Sequence, residues 1–237
     1  MTAHVSLTGT RAAYCGPALD LAPHRNAAAT LVIGLDATFE LQLAHDLTAR
    51  IALIPPGARH HLRGRGEMAF LYLDARSDDL ARIAAAPPEA LWPRIAAAPR
   101  DMLRALDADG WAGLLGLPQC APPDPRIAAI LARMDAAPDH YPGLAAAARA
   151  AGLSATRCQA LLRAAVGMPF RRYRLWRRMA LVVRLVGSGA SLTEAAHAAG
   201  FNSSAHLSTS FRAMFGLPPA RLLALGPRIN AGFPNAP

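Results

Sequence analysis

The sequence contains no lysine: all 25 of its basic residues are arginine, set against 16 acids for a formal net charge of +9. Aromatic residues are scarce at 6%, and much of the apolar content is alanine, which favours helix. Cysteine is limited to Cys15, Cys120 and Cys158, an odd number without metal-ligand spacing. This excludes a disulfide scaffold and a thiolate zinc site and suits a reducing compartment. Long apolar runs are missing as well. The stretch from Met179 to Val183 ends at Arg184, far short of the roughly 20 residues that a membrane span needs. Residues 1–6 have neither the basic start nor the apolar centre of a signal peptide. A cytoplasmic protein with no membrane partner is expected. What is present, 53% hydrophobic residues over a length of 237, suffices for buried cores in one large or two small domains.

Acids are also missing from one half of the chain. Residues 1–124 carry 11 Arg against 13 acids, whereas residues 125–223 carry 13 Arg against only Asp135, Asp139 and Glu194. A compositional preference for arginine over lysine leaves this asymmetry unexplained. It points to a polyanion as the partner of the second half alone.

The two halves also differ in pattern. Residues 31–35, 39–43, 49–54 and 68–73 are short apolar or alternating runs of strand length, separated by Gly, Asp and Pro-Pro-Gly turns. From Asp78 the pattern becomes helical, with segments at 78–86, 88–97 and 100–107 punctuated by proline. The proline cluster from Pro118 to Pro125 reads as a linker, and everything beyond it as helix up to a tail, 226–237, rich in Pro, Gly and Asn. The expected organisation is a first domain over 1–117, a linker over 118–125, a helical domain over 126–225 and a flexible tail over 226–237.

The helical half contains an internal repeat. Leu144-Ala-Ala-Ala-Ala-Arg-Ala-Ala-Gly152 returns 48 residues later as Leu192-Thr-Glu-Ala-Ala-His-Ala-Ala-Gly200. After the turn the offset becomes 49, pairing Arg163 with Arg212, Gly167 with Gly216 and Pro169 with Pro218. Each copy reads as a small-residue helix, a glycine turn and a second helix, with Ser154 in one copy and Asn202 or Ser203 in the other as N-cap. This is a helix-turn-helix layout, in which the second helix lies in the major groove. Between the copies, Phe170, Tyr173, Trp176, Ala180 and Val183 follow a helical period while Arg171, Arg174 and Arg178 share another face. Such a helix would hold two reading heads on one face of the duplex, roughly 34 Å apart.

Residues 126–223 resemble the AraC/XylS family of bacterial transcription regulators. The resemblance rests on Ala148-Arg-Ala-Ala-Gly-Leu-Ser154, Leu161-Leu-Arg-Ala-Ala-Val-Gly-Met-Pro-Phe170, Ser191-Leu-Thr-Glu-Ala-Ala-His-Ala-Ala-Gly-Phe201 and Phe211-Arg-Ala-Met-Phe-Gly-Leu-Pro-Pro219. It implies two helix-turn-helix units binding adjacent major-groove segments of double-stranded promoter DNA. Base-facing positions would be Thr156, Gln159 and Ala160 on the first reading helix and Ser204, His206, Ser208 and Thr209 on the second. Ala160 and Thr209 stand where family members often have arginine, the residue that gives the commonest contact to guanine. Arg157, Arg163, Arg171 and Arg212 suit phosphate contacts, which position without specifying. Cys158, Leu161, Leu162, Leu207, Phe211 and Phe215 are expected in the core.

In the first half, Ile54-Pro-Pro-Gly-Ala-Arg-His-His61 resembles the second motif of cupin barrels, and Pro23-His-Arg-Asn26 stands where the first motif would be. The implied fold class is α+β: a cupin-like β-barrel, complete or incomplete, with helices after it, followed by an all-α DNA-binding domain. His24 and His60 are candidate ligand-binding residues, with His61 or Glu67 as further donors. No metal, cofactor or catalytic residue is assigned, because three protein ligands are the usual minimum for a catalytic metal. The resulting expectation is a sequence-specific transcription regulator rather than an enzyme. It would more readily be an activator, with RNA polymerase as partner, controlled by a small-molecule effector or by homodimerisation through the first half. Two other readings stay open: a cupin metalloenzyme fused to a helical binding module, and a protein–protein module that has lost DNA binding.

Overall fold

The structure, a computed structural model, describes residues 2–8, 11–73, 79–117 and 123–232. Among them are ten strands: β1 (His4–Thr8), β2 (Arg11–Pro17), β3 (Asp20–Arg25), β4 (Thr30–Gly34), β5 (Phe39–Gln42), β6 (Asp46–Ala49), β7 (Ile51–Ile54), β8 (Arg59–Arg63), β9 (Glu67–Tyr72) and β10 (Arg228–Gly232). The helices are α1 (Asp79–Ala84), α2 (Trp92–Ala97), α3 (Arg100–Ala105), α4 (Ala108–Leu115), α5 (Pro125–Ala136), α6 (Leu144–Ala150), α7 (Ala155–Val166), α8 (Phe170–Gly187), α9 (Leu192–Ala198), α10 (Ser204–Phe215) and α11 (Pro219–Leu223). Most of the linker residues and Cys120 lie outside the described residues.

The strands form two sheets, β10-β1-β2-β9-β4-β7 and β3-β8-β5-β6, which do not close into one barrel. Their burial patterns differ for a physical reason. The larger sheet is covered on both faces, so β4, Thr-Leu-Val-Ile-Gly, is buried at every residue. A strand covered on both sides has no face left for polar residues. The smaller sheet faces solvent on one side, and β5 alternates, with Phe39 and Leu41 buried and Glu40 and Gln42 exposed. Val32, Phe70 and Ile54 from one sheet meet Leu21, Leu41 and Leu62 from the other in a core that continues into the helical domain. On the outer face of the larger sheet, Leu31, Ile33 and Leu71 pack against Ile95, Leu103 and Trp111 of the helices that follow the strands.

Two ion pairs, one buried and one half-buried, tie those helices to the sheet. Arg11 of β2 grips Asp79 at 3.0 Å, and Arg104 of α3 donates from Nε at 2.8 Å and Nη2 at 3.0 Å to the two oxygens of Glu67. Removing Arg104 would strand the buried Glu67 carboxylate, and removing either Arg11 or Asp79 would strand a buried charge.

The helical domain is built on α8, whose Phe170, Tyr173, Trp176 and Ala180 are buried as the periodicity requires. The arginines on its other face do not stay together. Arg178 donates to Asp139 Oδ1 at 2.9 Å from Nε and 2.6 Å from Nη2, and Arg174 donates to the Pro142 carbonyl at 2.9 Å. These two fasten α8 to the turn before α6, and only Arg171 of that expected basic face is left exposed.

The tail differs from the flexible segment expected over 226–237. Residues 228–232 form β10, which pairs parallel to β1 from His4↔Arg228 to Thr8↔Gly232. The cause is an open sheet edge at β1 and an apolar seat for Ile229 against the end of α8, where Gly187 leaves room for it. Residues 233–237 lie outside the described residues.

Candidate nucleic-acid interface

The two repeats fold into the same local structure for the same local reasons. In the first, α6 ends at a turn where Gly152 has φ +64°, and Ser154 Oγ accepts from Arg157 N at 3.2 Å to cap α7. In the second, Gly200 has φ +77°, and Ser203 rather than Asn202 caps α10 through His206 N at 3.1 Å. Ser191 and Glu194 form a reciprocal capping box at the start of α9. Each reading helix closes on a left-handed glycine, Gly167 or Gly216. Ala147 and Ala148 in one copy, and Ala195 and Ala196 in the other, are fully or almost fully buried, so the small residues let the paired helices approach closely.

On α7, Thr156 and Ala160 are exposed, and Gln159 is half-buried with its amide nitrogen enclosed and unpartnered. On α10, His206 and Thr209 are exposed and Ser204 and Ser208 half-buried. Arg157, Arg163, Arg171 and Arg212 are all exposed. The three acids of this half are engaged elsewhere: Asp135 with Arg177 at 2.8 Å, Asp139 with Arg178, and Glu194 in its capping box. Among the described residues those exposed arginines therefore form no ion pair. Cys158, Leu162, Leu207 and Phe211 are buried as expected, while Leu161 and Phe215 are only partly so. Burial pushes the Cys158 thiol up, away from the thiolate that a redox sensor needs.

The histidines expected to bind a ligand come together. His24 of β3 and His60 of β8 are register partners, buried, with ring centroids 4.1 Å apart. Each Nδ1 faces a carbonyl oxygen, Ala22 at 2.9 Å and Ala58 at 3.0 Å, which fixes the proton on Nδ1. Burial and the neighbouring His60 bring His24 down to about 4, against the hydrogen bond that it donates to the Ala22 carbonyl, which acts the other way. Both rings are therefore neutral at neutral pH. The further donors considered for this site are turned elsewhere: His61 approaches Asp20 at 3.7 Å, and the Glu67 carboxylate is held by Arg104. Among the described residues no three His, Cys, Asp or Glu side chains converge.

The pair instead sits under the second reading helix, a feature that nothing in the sequence pattern announces. Ala22 N donates to the Gly216 carbonyl at 2.9 Å, joining the edge strand β3 to the end of α10. A Cβ at Gly216 would lie 2.6 Å from His24 Nδ1. Beside this contact, a cavity of about 80 Å³ lies between the larger sheet and the helical domain, lined by Leu7, Tyr14, Phe70, Tyr72, Trp176 and Phe215 among others. Its walls are almost wholly apolar, and Tyr72, Trp176 and Phe215 form a ring cluster with centroids 5.5–6.0 Å apart.

Residues 147–224 match the model of a helix-turn-helix domain family. The whole chain is similar in fold to ToxT from Vibrio cholerae, with a TM-score of 0.53 at 12% identity over 91% of this chain and 96% of that one. Similar values hold for ToxT bound to (E)-4-(8-methylnaphthalen-1-yl)but-3-enoic acid: TM-score 0.53 and 10% identity, over 95% of this chain and 99% of that one. For unsaturated-fatty-acid-bound ToxT they are 0.53 and 12%, over 91% and 94%. A comparison with curated proteins finds no match. Among the described residues no helix is long and apolar enough to cross a membrane. The C-terminal part of this chain thus matches a helix-turn-helix domain family, and it is joined to a pair of β-sheets in a fold shared with ToxT.

Proposed function

We propose that the protein is a transcription regulator that reads duplex DNA with α7 and α10 and is controlled through its sheet domain. The observation that carries this reading is the pair of helix-turn-helix units joined by α8, their second helices capped alike by serine and glycine, with Arg157, Arg163, Arg171 and Arg212 exposed and every acid of that half engaged. The exposed arginines supply salt-dependent affinity through counterion release. Thr156, Gln159, Ser204, His206, Ser208 and Thr209 supply what base reading there is, and Ala160 can offer only a methyl contact to thymine.

The apolar cavity at the seam supports an effector with an apolar body, the chemistry of the ligands named for ToxT. A pocket for an organic ligand usually measures about 300 Å³ or more. This cavity is far smaller, so such an effector would have to part the seam between the sheets and α8 and α10. Binding would then shift the population of domain arrangements and with it DNA affinity. Activation through RNA polymerase and action as a dimer belong to the same proposal.

The test is fluorescence anisotropy with duplex DNA from upstream of the protein's own gene, over a salt series with scrambled competitor. Competitor-resistant binding is expected, with a steep salt slope that falls by about 2 in an Arg163→Ala, Arg212→Ala variant. Binding that ignores both competitor and variant would overturn the reading.

A further inference from the structure

The β3–β8 ladder ends in an arrangement that sheets ordinarily avoid. Arg25 and Arg59 are direct cross-strand partners. Like charges placed opposite one another destabilise a strand pair unless something offsets them. Among the described residues neither arginine has an acidic partner. Both side chains are exposed, and Arg25 Nη1 donates to the Gly57 carbonyl at 2.8 Å. Arg172 of α8 reaches the same place, its Nη1 lying 3.3 Å from where a Cβ on Gly57 would stand. Three guanidinium groups from three elements thus surround one cleft of about 570 Å³, and no acid lines it.

The position of the cleft gives this charge a meaning. Its other wall is α10, through Thr209, Ser210 and Ala213. Thr209 is one of the residues expected to face bases, and Arg212 is exposed on the same helix. The Ala22–Gly216 hydrogen bond holds β3 against the end of α10, so the arginines of the sheet domain travel with the reading helix. We infer that the DNA interface extends onto the sheet domain, with Arg25 and Arg59 joining Arg172 in contacting backbone phosphates beside the groove entered by α10. The inference rests on the reading of the chain as a DNA binder. It adds that the regulatory domain is itself part of the binding surface, so that any event parting the seam removes phosphate contacts as well as reorienting the helix.

The experiment uses the full chain and a duplex of about 30 base pairs, roughly three helical turns. Arg25→Gln with Arg59→Gln is compared with Arg63→Gln with Arg65→Gln, which removes equal charge from exposed positions at the other end of β8. A third variant, Arg163→Gln with Arg212→Gln, reports on the helical domain. Each neutralised phosphate contact is worth about 0.9 in the slope of log affinity against log salt. The Arg25/Arg59 variant is expected to lose close to 2 in slope and roughly tenfold in affinity, while the Arg63/Arg65 variant keeps the wild-type slope. Equal slopes for these two variants, or tighter binding by the first, would overturn the inference. If only the Arg163/Arg212 variant then lost slope, DNA binding by the helical domain would still stand. A wild-type protein that bound no duplex would remove both.

Discussion

His24 shows how one buried side chain records the docking of two domains. It lies beneath Gly216 with Nδ1 committed to the Ala22 carbonyl, and its Nε2 is enclosed without a partner. A proton on that nitrogen would be a buried charge beside His60. The pKa is accordingly depressed to about 4 from an ordinary 6.5. In the unfolded chain the ring takes up a proton near pH 6.5, while the folded protein does not until near pH 4. The unfolded state therefore binds more protons across this window, and stability is full above it and falls as pH drops through it. The loss is on the order of 2 kcal/mol by pH 5 and 3 kcal/mol by pH 4, and His60, lowered in the same direction by its own burial, adds to it. Urea unfolding between pH 7.5 and 5 should show this decline. A His24→Gln, His60→Gln variant should show a distinctly flatter one, and equal pH dependence in both proteins would contradict the assignment.

At the scale of the element, the two repeats share a local code but not a tertiary setting. Gly167 and Gly216 both end a reading helix in the left-handed region, with φ of +65° and +77°. Alanine at either position carries the backbone cost of that conformation, about 1–2 kcal/mol. Gly167 is exposed, whereas a Cβ at Gly216 would also stand 2.9 Å from both the Ala22 carbonyl oxygen and Leu21 Cβ. Gly216→Ala should therefore unseat β3 from α10, and Gly167→Ala should not. Hydrogen exchange of the Ala22 amide reads this directly: fast exchange in the first variant and native protection in the second are expected, with equal protection in both as the contrary result. The sequence announces the glycine turns, the serine caps and the buried faces of α7, α8 and α10, because each rests on spacing along one segment. It announces four strands, β4, β5, β7 and β9, for the same reason. It conceals β2, whose Arg-Ala-Ala-Tyr-Cys pattern lacks β-branched residues and is held by neighbours on both faces, and β3, where Pro23 is tolerated because the strand lies at an edge. The histidine pair was legible as two residues, but its place under α10 depends on the docking of the domains, which no local pattern encodes.

For the molecule as a whole, the decisive element is the last strand. A chain that ended at α11 would leave the β1 edge open and the two domains joined by the 117–125 connection, the Ala22–Gly216 bond and the apolar seam. β10 closes that edge in parallel register and carries Ile229 into a pocket formed by Val5 of the sheet domain and Val182, Val186, Leu192 and Leu222 of the helical one. One side chain thus packs on both domains at once, and the backbone beside it is hydrogen-bonded to the first residues of the chain, where Arg228 N donates to the Ala3 carbonyl at 2.7 Å. The two domains should therefore melt as one cooperative unit in the intact protein. Removing residues 227–237 deletes this clamp without touching either reading helix. Calorimetry of the truncated protein is expected to resolve two transitions in place of one. Ile229→Ala should shift the single transition downward by the equivalent of about 1–2 kcal/mol, the scale of a partly buried aliphatic side chain. If truncation left one transition at an unchanged midpoint, the seam alone would hold the domains together. The tail would then only cover a sheet edge that would otherwise invite pairing with another chain.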